Sequence, residues 1–246
     1  MADTKFSILH IITRLDLGGS AENTLLTALG SAKAGHRVSI ISGYSIDPPS
    51  DTEKKAIQTG IGIIKTAYLV RNISPLNDAI ALLFIVRHLL KNRPDIVHTH
   101  TSKAGIIGRI AARLTRVRRV VHTPHGHVFY GYFSRFLTKI FILLERLMVP
   151  LTDVHISLTQ NEKDDYLSRH IGKPDDFIPI YSGIPLEMFL KDYGKRDALR
   201  KEWGFSESDC IIGTVARLVP IKNHRLIVEA AAILCKKYPA IHFVFV

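Results

Sequence analysis

Residues 95–105 read Asp-Ile-Val-His-Thr-His-Thr-Ser-Lys-Ala-Gly, a short apolar run with two histidines that leads into a helical pattern. Because Pro94 ends the preceding helical pattern, we predict a strand over Asp95–His100 and a helix over Lys103–Thr115. Ile96 and Val97 are apolar at consecutive positions, which is typical of strands buried on both faces of a sheet. This segment predicts one unit of a parallel sheet covered by helices.

The same alternation of strand and helix extends in both directions along the chain. Further strands are predicted at Phe6–Ile12, Val38–Ser42, Ile61–Lys65, Val117–Thr123, Val154–Leu158 and Phe177–Ile180. Helices are predicted at Ala21–Ala34, Pro75–Lys91, Ser134–Val149 and Gln160–His170, with Ser20 and Ser74 as N-caps of the first two. Residues 47–51 are rich in proline and aspartate and predict a polar loop. The alternation predicts an α/β fold with helices on both faces of the sheet.

A composition change after Ile184-Pro185 predicts a second domain. The charged stretch Lys191–Glu202 predicts a connection with a short helix at Arg196–Trp203. The elements expected beyond it are a strand at Cys210–Val215, a helix at Asn223–Lys237 and a strand at His242–Val246. A unit of under about 50 residues is very small for a domain. We therefore predict a first domain over 1–190 and the incomplete start of a second over 191–246.

The chain has 246 residues and a formal net charge of +11, which favours anionic partners such as phosphates and acidic lipids. Lys and Arg are spread along the chain without a nucleic-acid motif, so nucleic acid is not a predicted partner. The longest apolar run, Ala79–Val86, is shorter than the roughly 20 residues that span a bilayer. The N-terminus lacks signal-peptide features, and Cys210 and Cys235 are expected to be buried free thiols in a cytoplasmic protein.

Ligands of open parallel sheets bind beyond the carboxyl ends of the strands, so the residues after each strand are candidates for a site. Gly18 and Gly19 follow the first strand and open a helix, where exposed amide groups can bind an anion. The alternative is a plain tight turn. Arg217 and Lys222 stand between a strand and a helix, and two cations there suit a diphosphate, although a solvated basic loop is the alternative.

Five histidines follow two neighbouring strands. His98 and His100 are two residues apart and share one face of a strand, while the next strand leads into a turn with three more, His122, His125 and His127. Their alternatives are core or capping histidines and a zinc, copper or nickel site. No cysteine accompanies them and no Asp-x-Asp pair occurs, so we predict no metal.

These segments, in this order, resemble glycosyltransferase family 4, the retaining enzymes of the GT-B fold. The matching segments are Gly18-Gly19, 95–100, 123–127, Tyr181-Ser182-Gly183-Ile184-Pro185 and 216–223. The His-Thr-Pro-His-Gly-His form resembles the subgroup that builds capsule, exopolysaccharide and lipid-linked oligosaccharides. Ser182 and Pro185 depart from the family's hinge motif. The family's paired glutamates and phosphate-binding glycine loop lie beyond residue 246, so little transferase activity is expected of these 246 residues alone.

The resemblance implies two Rossmann-like domains, the second only begun here, with a cleft between them for a nucleotide-diphosphate sugar and a glycan acceptor. By position, His125 would reach the transferred sugar as the catalytic residue. The donor would be held by Arg217, Lys222, Gly18 and Gly19, and the acceptor side of the cleft would be lined by His98, His100, His127 and Lys103. The resemblance implies no cofactor and no metal beyond the donor itself.

The segment Phe133–Val149 predicts a basic amphipathic helix, and an aromatic stretch, Phe129–Tyr132, precedes it. Such a helix can lie in an anionic membrane interface, and a core-packing helix is the alternative. A membrane surface suits a polyprenyl-diphosphate-linked acceptor and a peripheral location on the inner face of the plasma membrane. Two other functions stay open: a non-catalytic protein that binds a glycan lipid or a partner, and a nucleotide-sugar epimerase.

Overall fold

The computed structural model describes residues 4–126, 134–190, 194–216 and 218–246. Contacts divide the chain into two compact units, one ending at Gly183 and one spanning Ile184–Val246. The sequence placed this boundary at residue 190, a few residues later in the chain. Each unit is described separately below.

The first unit is built on a seven-stranded parallel sheet, as the sequence predicts. Its strands are β1 (Ser7–Ile12), β2 (Arg37–Gly43), β3 (Gly62–Thr66), β4 (Ile96–His100), β5 (Arg119–Thr123), β6 (Val154–Ser157) and β7 (Phe177–Pro179). Their order is β3-β2-β1-β4-β5-β6-β7, and every neighbouring pair is parallel. The chain therefore reverses its direction of winding between β1 and β4. Such a switch point opens a crevice at the carboxyl ends of the two strands.

Six helices of the described residues cover this sheet: α1 (Gly19–Lys33), α2 (Asp51–Gln58), α3 (Pro75–Asn92), α4 (Ser102–Leu114), α5 (Arg135–Met148) and α6 (Gln160–Ser168). Five of them were predicted within a few residues of their bounds. The prediction of Ser20 as an N-cap is wrong, because α1 begins at Gly19 and no side chain caps it. Ser74 does occupy the N-cap position of α3.

Helix α2 was not predicted from the sequence. Its N-terminus is capped by the Ser50 hydroxyl, which accepts a hydrogen bond from the amide of Glu53. Ala56 is its only fully buried apolar residue, so the segment shows little of the hydrophobic periodicity that marks a helix. The polar loop expected over 47–51 ends where this helix begins.

Strand β1 shows how the sheet separates two cores. Leu9 and Ile11 pack on one face with residues of α3 and α4, whereas Ile8 and Ile12 pack on the other face with residues of α1 and α2. Successive side chains of a strand alternate between faces, so His10 shares the face of Ile8 and Ile12. This alternation of side chains between the two faces decides which histidine side chains can contact one another.

Helix α5 has one face in the fold and one face exposed. Glu145 and Met148 are buried, whereas Phe136, Leu143 and Leu147 are 73%, 55% and 55% exposed. The helix therefore combines core packing with an exposed apolar stripe. The core-packing interpretation describes its buried face, and contact with a membrane stays a prediction. None of the helices among the described residues has the length and apolarity needed to cross a membrane.

The second unit contains the predicted strand, helix and strand. Its elements are α7 (Glu187–Leu190), α8 (Lys195–Glu202), β8 (Cys210–Thr214), α9 (His224–Lys237) and β9 (Ile241–Phe245), and the two strands pair in parallel. Two strands and one crossover helix bury little of one another's surface, and no residue described in α8 or α9 is buried. For this reason the prediction of buried cysteines is wrong, since Cys210 and Cys235 are free but exposed.

Candidate functional site

The candidate site lies at the carboxyl ends of β1 and β4, where the strand order reverses. Thr13 follows β1 and Thr101 follows β4, and their Oγ1 atoms are 3.0 Å apart. The amide of Ala104, in the first turn of α4, donates to Thr13 Oγ1 at 3.3 Å. Thr101 has a φ of 61°, a backbone region that β-branched residues rarely adopt. Sequence reasoning did not single out either threonine.

A chain of three imidazoles runs through this end of the sheet. His10 Nδ1 lies 2.9 Å from His100 Nε2, and His100 Nδ1 lies 2.9 Å from His125 Nε2. His10 and His98 are register partners of neighbouring strands, so β4 places His100 one residue pair beyond His10 on the same face. His10 was missed, because a single histidine in an apolar run gives no signal until the strand order is known.

His98 and His100 share a face, as their spacing predicts, with ring centroids 4.1 Å apart. They are only 7% and 0% exposed, so they lie beneath the surface of the sheet edge. His98 Nε2 is 2.8 Å from the hydroxyl of Thr123. The contacts of these two imidazoles are therefore with the protein itself, and a direct contact with an acceptor stays a prediction.

His122 belongs to the opposite face of the sheet, so the five histidines do not form one group. Its Nδ1 lies 2.9 Å from Thr99 Oγ1, and its ring packs against Gly105 of α4 and edge-on to His155. A Cβ at Gly105 would lie 2.5 Å from His122, so the glycine is needed for α4 to lie this close. This histidine is a core residue.

A buried carboxylate fixes the turn that carries His125. His125 and Gly126 have positive φ values of 58° and 94°. Glu162 accepts from the amide of Gly126 at 3.1 Å through Oε1 and from the amide of Leu158 through Oε2. The Thr159-Gln160-Asn161-Glu162 sequence suggests an ordinary capping box at the start of α6. Its glutamate instead joins α6 to the histidine turn, and sequence reasoning missed this role.

The imidazoles of His10, His98, His100 and His125 are neutral at pH 7. Burial lowers the pKa of His10 and of His125 to about 4, and it lowers the pKa of His98 and of His100 well below the usual value. The group can therefore donate and accept hydrogen bonds but supplies no positive charge to a phosphate. Among the described residues, His10, His98 and His100 could also hold a metal ion, since their ligating nitrogens lie within 4.8 Å of one another.

Gly18 and Gly19 stand in open space at the N-terminus of α1. A Cβ added at either position meets no atom of the described residues within 4 Å. Gly18 has a φ of 161°, which is extended backbone that any residue adopts. Neither packing nor backbone conformation thus requires glycine here, which leaves room for a ligand close to the backbone. Beside them, Asn23 of α1 donates to the hydroxyl of Ser182, one of the two residues that depart from the hinge motif.

Lys103 is paired inside the first unit. Its ammonium lies 2.6 Å from Asp78 Oδ1 and also donates to the carbonyl of Asn72. These contacts tie the start of α4 to the start of α3. An additional contact with an acceptor stays a prediction.

Of the two predicted diphosphate cations, the structure describes Lys222. This residue is exposed in a single 3-10 turn, Pro220–Lys222, directly before α9. Asn223 follows with a φ of 48°, and neighbouring residues border an open depression of about 420 Å³. Arg217 and His127 lie outside the described residues, as does the aromatic stretch Phe129–Tyr132.

Solved structures of similar architecture identify the fold class. The chain is similar to a glycosyltransferase of Rickettsia africae (TM-score 0.72, 18% identity, 98% of this chain and 68% of that one). It is also similar to Anabaena HepE in complex with UDP (TM-score 0.70, 18% identity, 97% and 60%). A UDP-GlcNAc 2-epimerase of Neisseria meningitidis matches less well (TM-score 0.59, 18% identity, 97% and 65%). The fold is that of the GT-B glycosyltransferases.

Sequence comparison identifies the family. The chain matches Glycosyltransferase Family 4 over residues 17–188, and it belongs to that family. It is 36% identical over 163 residues to the UDP-Gal:alpha-D-GlcNAc-diphosphoundecaprenol alpha-1,3-galactosyltransferase of Escherichia coli, covering 66% of this chain and 42% of that protein. It is 28% identical over 174 residues to the capsular polysaccharide biosynthesis glycosyltransferase CapM of Staphylococcus aureus, covering 68% and 45%. The chain thus spans about two fifths of the length of these relatives.

Proposed function

We propose that the protein to which this chain belongs transfers a sugar from a nucleotide-diphosphate sugar to a polyprenyl-diphosphate-linked glycan, with retention of anomeric configuration, in polysaccharide biosynthesis. Family membership carries the proposal, because the match covers residues 17–188 and includes the histidine turn. The Escherichia coli relative, whose name includes both a UDP-sugar and a diphosphoundecaprenol acceptor, supports these two substrate classes. Retention rests on the family resemblance alone.

In this proposal the first unit binds the acceptor and presents His125 to the transferred sugar. A neutral imidazole forms hydrogen bonds with sugar hydroxyls without adding a charge. Gly18 and Gly19 lie against a phosphate of the donor or acceptor, with the amide groups at the start of α1 as donors. The space beside them favours this role, since no atom of the residues that the structure describes lies within 4 Å of a Cβ added there.

Arg217 and Lys222 of the second unit bind the donor diphosphate. Positive charge beside the departing nucleoside diphosphate stabilises the transition state more than the ground state, because negative charge develops there as the sugar leaves. The proposed reaction draws on no divalent cation. The sequence contains no Asp-x-Asp pair, the common acidic clamp for a metal and a sugar diphosphate.

We also place the chain on an anionic membrane through α5. Phe136, Leu143 and Leu147 form an exposed stripe at helical spacing, and exposed Arg135 and Lys139 lie on the same helix. A lipid-linked acceptor presents its diphosphate at the membrane surface, so a protein lying there meets it. Sedimentation with anionic vesicles at low salt, and release at high salt, supports this placement; equal binding to neutral vesicles contradicts it.

The functional test separates binding from transfer. The purified chain is titrated with a short polyprenyl diphosphate that carries GlcNAc, and amide shifts in the first turn of α1 and at Gly126 report binding. Transfer is then measured with labelled UDP-galactose, as the appearance of label in the lipid-linked product. Acceptor binding with shifts confined to this edge supports the proposal. Absence of acceptor binding in the presence of a folded first unit contradicts it.

Two other functions have distinct outcomes in the same test. The epimerase neighbour favours a second candidate, an epimerase that acts on the donor alone. Isomerisation of UDP-GlcNAc without acceptor would identify it. A non-catalytic glycan-lipid-binding protein would bind the acceptor. Forms of the protein with more residues than these 246 would not transfer sugar either.

A further inference from the structure

Three large apolar or aromatic side chains are exposed at the carboxyl edge of the first sheet, beside the candidate site. Leu17 lies in the loop after β1, and Tyr44 and Ile46 lie in the loop after β2, the neighbouring parallel strand. They are 59%, 64% and 82% exposed. These three residues form the loop patch. Scattered apolar residues on a surface are common, but a group of them beside a binding crevice is typical of a surface that contacts a ligand.

Two aspartates hold the two loops of the patch together. The amide of Ile46 donates to Asp16 Oδ1 at 3.2 Å, and the amide of Leu17 donates to Asp47 Oδ2 at 2.9 Å. The two hydrogen bonds are reciprocal, so each apolar residue lies within one aspartate side chain of the other loop. An ion pair with Arg14, at 2.8 Å, fixes Asp16 further. The structure therefore keeps Leu17 and Ile46 close together although both side chains are exposed to water.

The loop patch continues directly into the glycine pair at the start of α1. Leu17 precedes Gly18, and the proposed function places a phosphate against Gly18 and Gly19. Five residues further along the helix, or about 7.5 Å, Thr24 Oγ1 lies 3.4 Å from His125 Nε2. The first unit thus presents three kinds of surface in order along α1 and the loop before it. They are an imidazole, the amide groups of a first helical turn, and apolar side chains.

We propose that the loop patch binds the first isoprene units of the polyprenyl chain of the acceptor. This inference rests on the proposed function, which gives the acceptor three consecutive parts: a sugar, a diphosphate and a polyprenyl chain. Their order matches the order of the imidazole, the amide groups and the loop patch. The group attached to the diphosphate of such an acceptor is a branched hydrocarbon, and its contact with exposed aliphatic side chains removes apolar surface of both partners from water.

The loop patch distinguishes a lipid-linked acceptor from a water-soluble sugar diphosphate. A nucleotide sugar carries a polar ribose where the acceptor carries its first isoprene, so it gains nothing from Leu17 or Ile46. Burial of two aliphatic side chains against a hydrocarbon is expected to raise the affinity at least tenfold. We therefore expect the loop patch to contribute to the choice of acceptor and to leave recognition of the sugar unchanged.

The test compares two probes by isothermal titration calorimetry on the purified 246-residue chain. One probe is GlcNAc diphosphate esterified with farnesol, used below its critical micelle concentration, and the other is GlcNAc diphosphate esterified with methanol. The wild type should bind the farnesyl probe at least tenfold more tightly than the methyl probe. The variant Leu17→Ser/Ile46→Ser should bind both probes with the affinity that the wild type has for the methyl probe.

Two controls separate the hydrocarbon from other effects. Leu83→Ser/Leu90→Ser changes two leucines of α3 that are 68% and 57% exposed, and it should keep the preference for the farnesyl probe. Gly19→Ala should weaken both probes by the same factor, because it obstructs the phosphate and not the hydrocarbon. If the double variant of the loop patch does not fold, Ile46→Ser alone should lower the preference for the farnesyl probe.

A bilayer is the other apolar partner that exposed side chains at this edge could contact. Sedimentation with vesicles of phosphatidylcholine and phosphatidylglycerol, in the absence of acceptor, should be the same for the wild type and for Leu17→Ser/Ile46→Ser. Weaker sedimentation of the variant would assign the loop patch to the membrane and overturn the inference.

The inference is also overturned if the wild type binds both probes equally, or if Leu17→Ser/Ile46→Ser folds and keeps the preference for the farnesyl probe. The same holds if Leu83→Ser/Leu90→Ser loses that preference to the same extent. Equal binding of both probes would leave the proposed function intact, because a sugar diphosphate is still bound. If neither probe binds to the folded chain, the proposed function fails and this inference fails with it.

Discussion

The hydroxyls of Thr13 and Thr101 lie 3.0 Å apart and join the ends of β1 and β4 at the reversal of strand order. Thr101 holds a φ of 61° and a ψ of 168°, a conformation that costs a residue other than glycine about 1–3 kcal/mol. Strain of this kind persists where surrounding contacts over-determine the backbone. Here the contacts are the Thr13 hydroxyl and the start of α4, so the strain lies in the candidate site.

Substitutions at Thr101 should separate this strain from the hydrogen bond. Thr101→Ala removes the hydroxyl and keeps the strain, whereas Thr101→Gly removes both. We expect the glycine variant to be more stable than the alanine variant by about 1 kcal/mol or more, after allowance for the entropic cost of glycine. Urea unfolding followed by circular dichroism measures the difference. Equal midpoints for the two variants would show that residue 101 is unstrained.

The buried ion pair between α4 and α5 gives a second prediction. Arg109 is fully buried, and its guanidinium donates to both carboxylate oxygens of Glu145, at 3.2 and 3.0 Å. Glu145→Gln leaves the buried cation without its counter-charge and should lower the free energy of unfolding by about 3–5 kcal/mol. Combining Glu145→Leu with Arg109→Met should recover most of this loss, because no charge then remains buried.

A matched control is the exposed pair of Lys54 and Asp51, whose nitrogen–oxygen distance is 2.9 Å. Lys54→Gln should leave the unfolding midpoint unchanged within error, because exposed ion pairs contribute little. A loss for Lys54→Gln as large as that for Glu145→Gln would contradict the argument from burial.

The sequence predicts the sheet well, because buried parallel strands have strong apolar runs and the intervening helices are long. It predicts less of the site, since contacts between strands depend on their order. His10 and Thr13 became recognisable only when β1 was found beside β4. The role of Glu162 could not be predicted, because the sequence pattern around it is already explained by an ordinary helix cap. Helix α2 was missed because it buries one small apolar side chain.

The buried histidines predict a loss of stability in mild acid. Burial lowers the pKa of His10 and His125 to about 4 and that of His155 to about 3, whereas each is near 6.5 when unfolded. The unfolded chain therefore binds more protons between these values, so stability is fully present above pH 6.5 and is lost as the pH falls. Each group contributes a slope of about 1.4 kcal/mol per pH unit in this window.

Urea unfolding at pH 7.5, 6.5 and 5.5 measures this dependence. His155→Phe removes one of these imidazoles. The slope of the unfolding free energy against pH should therefore fall by about 1.4 kcal/mol per pH unit near pH 5.5, whatever the effect of the variant on stability at pH 7.5. His170→Asn changes an exposed histidine and serves as the control. A wild-type unfolding free energy that is constant from pH 7.5 to 5.5 would show that these imidazoles are not buried in the neutral form.

The open space around Gly19 predicts a variant that folds normally but binds ligand poorly. In Gly19→Ala the new methyl group meets no atom in the described part of the chain within 4 Å, so the free energy of unfolding should be unchanged or slightly higher. If a phosphate lies against this backbone, the methyl group blocks it, and affinity for the GlcNAc-diphosphate acceptor should fall at least tenfold. Isothermal titration calorimetry measures this affinity.

Gly30 provides the matched control, because it lies inside α1 and a Cβ there also meets no described atom within 4 Å. Gly30→Ala should raise helix stability by about 0.5–1 kcal/mol and leave acceptor affinity unchanged. An equal loss of affinity in both variants would indicate an effect on the helix rather than at its N-terminus.

The apolar stripe of α5 provides the last prediction. Phe136 and Leu143 are 73% and 55% exposed, so the double change to serine removes little packing and should preserve the fold. If both side chains enter the lipid interface, each loses about 1.5–3 kcal/mol of transfer free energy, and partition into anionic vesicles should fall more than tenfold. The control changes two exposed leucines of α3, Leu83 and Leu90, to serine. Because it removes similar apolar area elsewhere, a comparable loss of vesicle binding in the control would mean that α5 is not the membrane-binding surface.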